Sequence, residues 1–199
     1  MTSDEQRTAA EVAIDRANGE DPRVITVAGS TGPMELIMGQ RAAEWVRRLD
    51  PLAEPAQLLA ARAHHFRRWT RPRGDYPEGR AGYLRWRADA KGAHAAEVGE
   101  VLSSVGIDTV VMDRVGQIIR KEGLGTDPQV GIHEDAVCLT FLEAQLDPTA
   151  SQLGNDHMVE VLAKTIRKMT PAGIQRVAEL ELSDAGAALV GRAASMLAE

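Results

Sequence analysis

The sequence predicts an all-α fold, about eight helices packed into one compact unit. Three observations carry that expectation. Apolar residues recur at helical spacing, as in Leu36, Ile37, Trp45, Val46 and Leu49, and again in Val111, Val115, Ile118 and Ile119. Prolines and glycines punctuate the chain at helix-length intervals. The alternating valine and isoleucine runs that strands require are missing apart from residues 23–27.

Taken in order, a first helix is expected from about residue 3 to 17, with Asp4 and Glu5 where negative charge meets the helix dipole. The NGEDP turn at 18–22 ends it. Residues 23–27 suit a short strand, and AGSTGP at 28–33 reads as loop. Pro33 then suits the first turn of a second helix, which Asp50-Pro51 closes. A third helix is expected from about Pro55 to Thr70, and RPRGDYPEG at 71–79 is a loop. A long helix follows over 80–103, then one over 108–122. GLGTD at 123–127 reads as a helix C-terminal turn rather than a phosphate loop, because it follows a helix and not a strand. Helices at about 128–146, 151–169, 171–180 and 184–198 complete the chain, with Pro148 and Pro171 as separators. One domain thus spans 1–199, with a core at about 33–146 and C-terminal helices over 151–199.

The composition, 44% hydrophobic and 26% charged, is that of a soluble globular protein. A net charge of −6 argues against general binding to nucleic acid or membrane surfaces. One cysteine, Cys138, cannot build a disulfide framework and fits a reducing compartment. No apolar run reaches the ~20 residues of a membrane helix, and the acidic start MTSDEQRTAAEV lacks the form of a signal peptide. Cytoplasmic location follows as the expectation.

Against this acidic background, residues 61–91 hold nine of the 23 basic residues, three of the 29 acidic ones and five of the seven aromatic ones. Such a segment calls for a counter-charge, from the protein's own carboxylates or from an anionic ligand. Helical register groups its polar residues. Tyr83, Arg87, Lys91 and His94 fall on one face of the long helix, and His65, Arg68 and Trp69 share a face of the helix before it. The loop between them offers Arg71, Arg73, Tyr76 and Arg80. Downstream, Gln117 and Lys121 form an i, i+4 pair, and Glu134-Asp135 stand at the front of the apolar run DAVCLTFLEAQL. Carboxylates there need partners, because unpaired burial of charge is costly.

Each residue also has a plainer reading. The loop arginines can bridge to the surplus carboxylates, and Trp69 and Trp86 can simply pack. His133 and His157 read as structural, Glu134 as a helix cap, and Cys138 as a small buried apolar residue. Walker-type, Rossmann, HExxH and Gly-x-Ser-x-Gly motifs are absent.

AIDRANGEDP at 13–22, HHFRRWTRPRGDYPEGRAGYLRWR at 64–87, KGAHA at 91–95, HEDAVCLTFLE at 133–143 and KTIRKMTPAG at 164–173 together resemble the domain-of-unknown-function family 4202 (DUF4202). The resemblance covers nearly the whole chain and asserts no activity. A more distant resemblance is to the HD phosphohydrolase superfamily, in which histidines and aspartates of a helical bundle bind a metal that activates water. It implies His65 as first ligand and Asp135 as last, with His94 and Lys121 where further histidines stand. The His-Asp dipeptide itself is replaced by Trp86 and Arg87. A divalent metal held by His64, His65, His94 and Asp135 is therefore an expectation of the resemblance alone.

Three readings stay open. One is an HD-like hydrolase of a phosphorylated metabolite or nucleotide, with His65 or His94 as general acid or base and Glu134 or Asp135 orienting it. Another is a non-catalytic module binding an anionic small molecule through Arg68, Trp69, Arg73, Tyr76, Arg80, Tyr83, Arg87, Lys91 and Lys121. The third docks an acidic protein segment or RNA on the arginine-aromatic stretch.

Overall fold

The computed structural model describes residues 3–198. Among them the chain forms nine α-helices and one β-hairpin. Helix α1 (Ser3–Asn18) leads into strands β1 (Val24–Val27) and β2 (Ser30–Pro33), which pair antiparallel with Val27 opposite Ser30. The expected loop at 28–33 is thus the turn and second strand of a hairpin. Its two turn residues, Ala28 (φ 48°) and Gly29 (φ 79°), are both left-handed, as the tight hairpin turn requires. Alanine in place of the usual Asn or Asp conceals the turn.

Helix α2 (Met34–Leu49) starts directly from the hairpin, with Pro33 at its N-cap rather than inside its first turn. Helix α3 (Pro55–Arg62) is shorter than expected. It stops because the chain must cross α2: a Cβ on Gly39 would lie 2.2 Å from the Arg62 carbonyl oxygen. Arg67 then adopts a left-handed conformation (φ 49°), and its N–H donates to Asn18 Oδ1 at 3.1 Å. His65, Arg68 and Trp69 therefore do not share a helix face, and Arg68–Thr70 is a separate 3-10 turn.

Helices α4 (Gly79–Ser104) and α5 (Thr109–Arg120) match their expected spans, with Asp108 capping α5 through the Val110 N–H and Lys121 closing it in a left-handed conformation. Helix α6 (Pro128–Leu153) is capped by Asp127 and runs straight through Pro148, so the expected break at 146–151 is not there. Leu142 and Leu146 before the proline and Ala150 after it enter one apolar cluster. That packing outweighs the ~3 kcal/mol cost of an interior proline. Gly154 (φ 81°) makes the real break, before α7 (Asn155–Ile166), α8 (Pro171–Arg176) and α9 (Asp184–Ala198).

Helix α6 is the spine. Val130 joins a cluster with α1, α3, α4 and α5, Ala136 and Leu139 join one with α2 and α3, and Leu142 to Ala150 join one with α7 and α9. Among the described residues no helix is long and apolar enough to cross a membrane.

Candidate functional site

Where α3, α4 and α6 meet, four imidazoles gather. His64 and His65 follow α3, His94 projects from α4 and His133 from α6. The His64 ring centroid lies 4.0 Å from that of His65 and 6.3 Å from that of His133, and His65 lies 6.1 Å from His94. His64 Nδ1 donates to the Ala61 carbonyl at 3.1 Å, leaving Nε2 buried without a partner. Both ring nitrogens of His94 and of His133 are likewise buried outside hydrogen-bond geometry. Burial holds all four rings neutral. It lowers His64 to about 3 and His94 to about 4, and takes His65 and His133 well below the usual histidine value, with the charges of Arg68 or Lys121 adding to the fall. The effect is softened at His65, whose side chain is 31% exposed. His157 stands apart and exposed on α7.

Two carboxylates flank the imidazoles. Glu35, in the first turn of α2, is buried with its Oε2 3.7 Å from His65 Nδ1. Its other oxygen accepts from Arg23 at 2.8 Å, and its backbone N–H donates to Asp21, which Arg23 also holds. Burial pushes the Glu35 carboxyl up to about 7, against the opposing pull of Arg23. Glu35 did not emerge from the sequence, although the argument made for Glu134 applies to it: an acid at the front of the apolar run MELIM. Glu134 on α6 is ion-paired with Lys121, with Lys168 at 4.0 Å. It does not cap the helix, a role that belongs to Asp127.

Asp135 faces a different task. One of its oxygens accepts from the Thr170 N–H at 2.8 Å and the other from Thr170 Oγ1 at 2.6 Å. A Cβ on Gly173 would fall 2.3 Å from its carboxyl carbon, so α8 is seated directly upon it. Asp135 thereby fastens the start of α8 to α6.

The cations form a strip. Lys91 feels Arg87, Lys121, Glu134 and Lys168, and Arg68 feels Glu35 and Arg87. Burial, followed by its cationic neighbours, lowers the Lys91 ammonium below its ordinary value; burial does the same to Arg68. Arg87 lies over the Tyr83 ring (5.7 Å) and Arg68 over the Trp86 ring (4.5 Å). Among the described residues neither arginine has a carboxylate within ion-pair distance. Lys91 has only a 3.4 Å contact to the Arg120 carbonyl.

The loop residues sort differently. Arg73 donates to the carbonyls of Tyr76 and Pro77 and so holds its own loop closed. Arg71 pairs with Glu97 and accepts the Trp86 indole N–H on its carbonyl at 2.9 Å. Trp86 is thereby buried and committed to packing. Trp69 and Tyr76 are half-buried and Arg80 is exposed, whereas Tyr83 stands exposed beside Arg87. Cys138, one turn beyond Glu134, is buried with its thiol pushed up to about 12. Lys168, like Glu35, escaped the sequence reading because it lies far along the chain from the cationic segment.

The ligand set implied by the HD resemblance does not fit a metal here. Asp135 is occupied by Thr170, and Arg87 puts a positive charge where the missing dipeptide would supply ligands. Among the described residues no three His, Cys, Asp or Glu side chains converge so as to hold an ion. No curated protein and no solved structure matches the chain. The family model described as Domain of unknown function (DUF4202) matches residues 8–190, from the second turn of α1 into α9, and the chain belongs to that family.

Proposed function

We propose that the protein binds a phosphorylated small molecule or nucleotide on the strip of Arg68, Arg87, Lys91, Lys121 and Lys168. The observation that carries this reading is that, among the described residues, no carboxylate lies within ion-pair distance of Arg68 or Arg87, although both are partly buried beside further cations. Like charges crowded away from water are costly, and an anion received among them relieves that cost. Arginine offers a planar fork that suits phosphate oxygens, and the lysines add point charges. A buried, unreactive cysteine and the lack of a membrane-spanning helix among the described residues support a cytoplasmic setting.

The test is a thermal melt of the parent and of Arg87→Ala with phosphate, pyrophosphate and nucleotides. Anions should raise the parent's Tm, and the variant should lose roughly 1.5–3 kcal/mol of that binding, the scale of a charge-assisted hydrogen bond. Arg87→Lys should recover part of it. Equal responses in parent and Arg87→Ala would remove the reading.

Glu35 supports a second step, hydrolysis of the bound ester. A carboxyl near 7, with its free oxygen toward His65, is suited to accepting a proton from water at neutral pH. Water would add to phosphorus as one of its protons passes to Glu35, while the ester P–O bond breaks and the departing alkoxide oxygen takes that proton back from the Glu35 carboxyl. Glu35→Gln should then keep anion binding and abolish phosphate release.

A further inference from the structure

We infer that the group recognised on the cationic strip is a diphosphate rather than a single phosphate, an inference that rests on the anion-binding reading above. The charge balance of the neighbourhood is the first argument. Arg68, Arg87, Lys91, Lys121 and Lys168 stand beside Glu35 and Glu134, and Arg23 with Asp21 adjoins Glu35, so six positive charges meet three negative ones and three remain unbalanced. A phosphate monoester carries about 1.5 to 2 negative charges at neutral pH. It would leave the strip still positive, and a second phosphoryl group would bring it to balance.

The shape of the strip is the second argument. Its cations come from separate places in the fold: Arg68 from the 3-10 turn after α3, Arg87 and Lys91 from α4, Lys121 from the end of α5 and Lys168 from the turn before α8. Arg87 and Lys91 alone stand one helical turn apart, about 6 Å along the axis. Two linked phosphoryl groups present oxygens to cations that come from such separate places. Access favours the same end of the molecule. The Lys168 side chain is 41% exposed and Lys121 19% exposed, and Tyr83 lies exposed one turn before Arg87. Glu134 is held between the two lysines, which orients them without neutralising both.

The measurement is isothermal titration of the full chain at neutral pH, without divalent cations, using inorganic phosphate, pyrophosphate and ADP. Pyrophosphate should bind at least about tenfold more tightly than phosphate, the ratio that one further charge-assisted hydrogen bond supplies. Lys168→Ala, at a 41% exposed end of the strip, should weaken pyrophosphate more than phosphate and so narrow that ratio. Arg87→Ala should weaken both ligands. ADP binding as tightly as pyrophosphate supports a nucleotide source, and pyrophosphate binding alone supports the free inorganic ion. Equal affinities for phosphate and pyrophosphate would overturn the diphosphate inference but keep the anion site. No heat and no thermal shift with any of the three would overturn the anion site itself.

Discussion

The molecule has two regions dense in arginine, and they are built on opposite terms. Between α1, α2, α3 and α6 the arginines are matched. Arg62 reaches Asp15 through two bonds of 2.6 Å, and Arg41 grips Glu143 at 2.6 and 2.7 Å with the Trp45 indole alongside. Around the histidines Arg68 and Arg87 rest on aromatic faces, and among the described residues no carboxylate meets them within ion-pair distance. Both regions are partly buried. The difference separates charge neutralised inside the fold from charge left without a close counterpart, and only the second has something to gain from an external anion.

Acid should expose the contrast most strongly. His64 and His94 fall from about 6.5 unfolded to about 3 and about 4 folded. The folded state therefore binds fewer protons than the unfolded state between those values. Their contribution to stability is full above pH 6.5 and is lost as pH falls toward 4, at about 1.4 kcal/mol per pH unit for each ring fully affected. His65 and His133 act in the same direction. Glu35 acts oppositely: its contribution is full below about 4.5 and is lost as pH rises through about 7. Four imidazoles oppose the carboxyls of Glu35 and of Asp135, which burial also raises, so Tm should drop below pH 6.5 and change only gently above 7. A flat Tm profile from pH 4 to 6.5 would contradict neutral buried imidazoles.

The matched region should respond next. Arg62→Ala leaves the partly buried Asp15 with Gln40 alone, and should cost about 2–3 kcal/mol in urea denaturation, the lower side of what breaking a buried pair costs. Its response to phosphate should be unchanged. A loss of anion response in this variant would blur the distinction between the two regions.

The smallest change in stability belongs to Arg87→Ala. With no carboxylate to strand, its unfolding free energy should stay within about 0.5 kcal/mol of the parent, as for an ordinary surface substitution. If it instead destabilises strongly, Arg87 has a structural role that its stacking on Tyr83 does not account for.

Much of this arrangement was legible because it is local. Apolar periodicity located α2 and α5, caps and turn residues bounded α1 and α4, and the surplus of positive charge at 61–91 singled out the segment that carries Arg68, Arg87 and Lys91. What escaped was decided by contacts between distant residues. Nothing near Arg67 announces a left-handed residue, which Asn18 secures from 49 positions away. Nothing near Pro148 announces a continuous helix, which packing against α7 and α9 sustains. Glu134 and Asp135 are neighbours in sequence, yet a turn of about 100° along α6 sends one to Lys121 and the other to Thr170. Only the tertiary fold selects which carboxylate meets the cations.

Cys138 gives the protein a built-in reporter. It is the chain's single thiol, buried in α6 one turn from Glu134, and burial keeps it protonated far above neutral pH. A thiol-specific reagent added to the native protein must therefore wait for α6 to open, since only the released thiolate reacts. The rate of labelling, read by mass on intact chains, measures the opening free energy of the helix that links all three apolar clusters, without any introduced probe. Comparing that rate with and without pyrophosphate would show how far an anion held at α4 and α5 steadies the spine behind it.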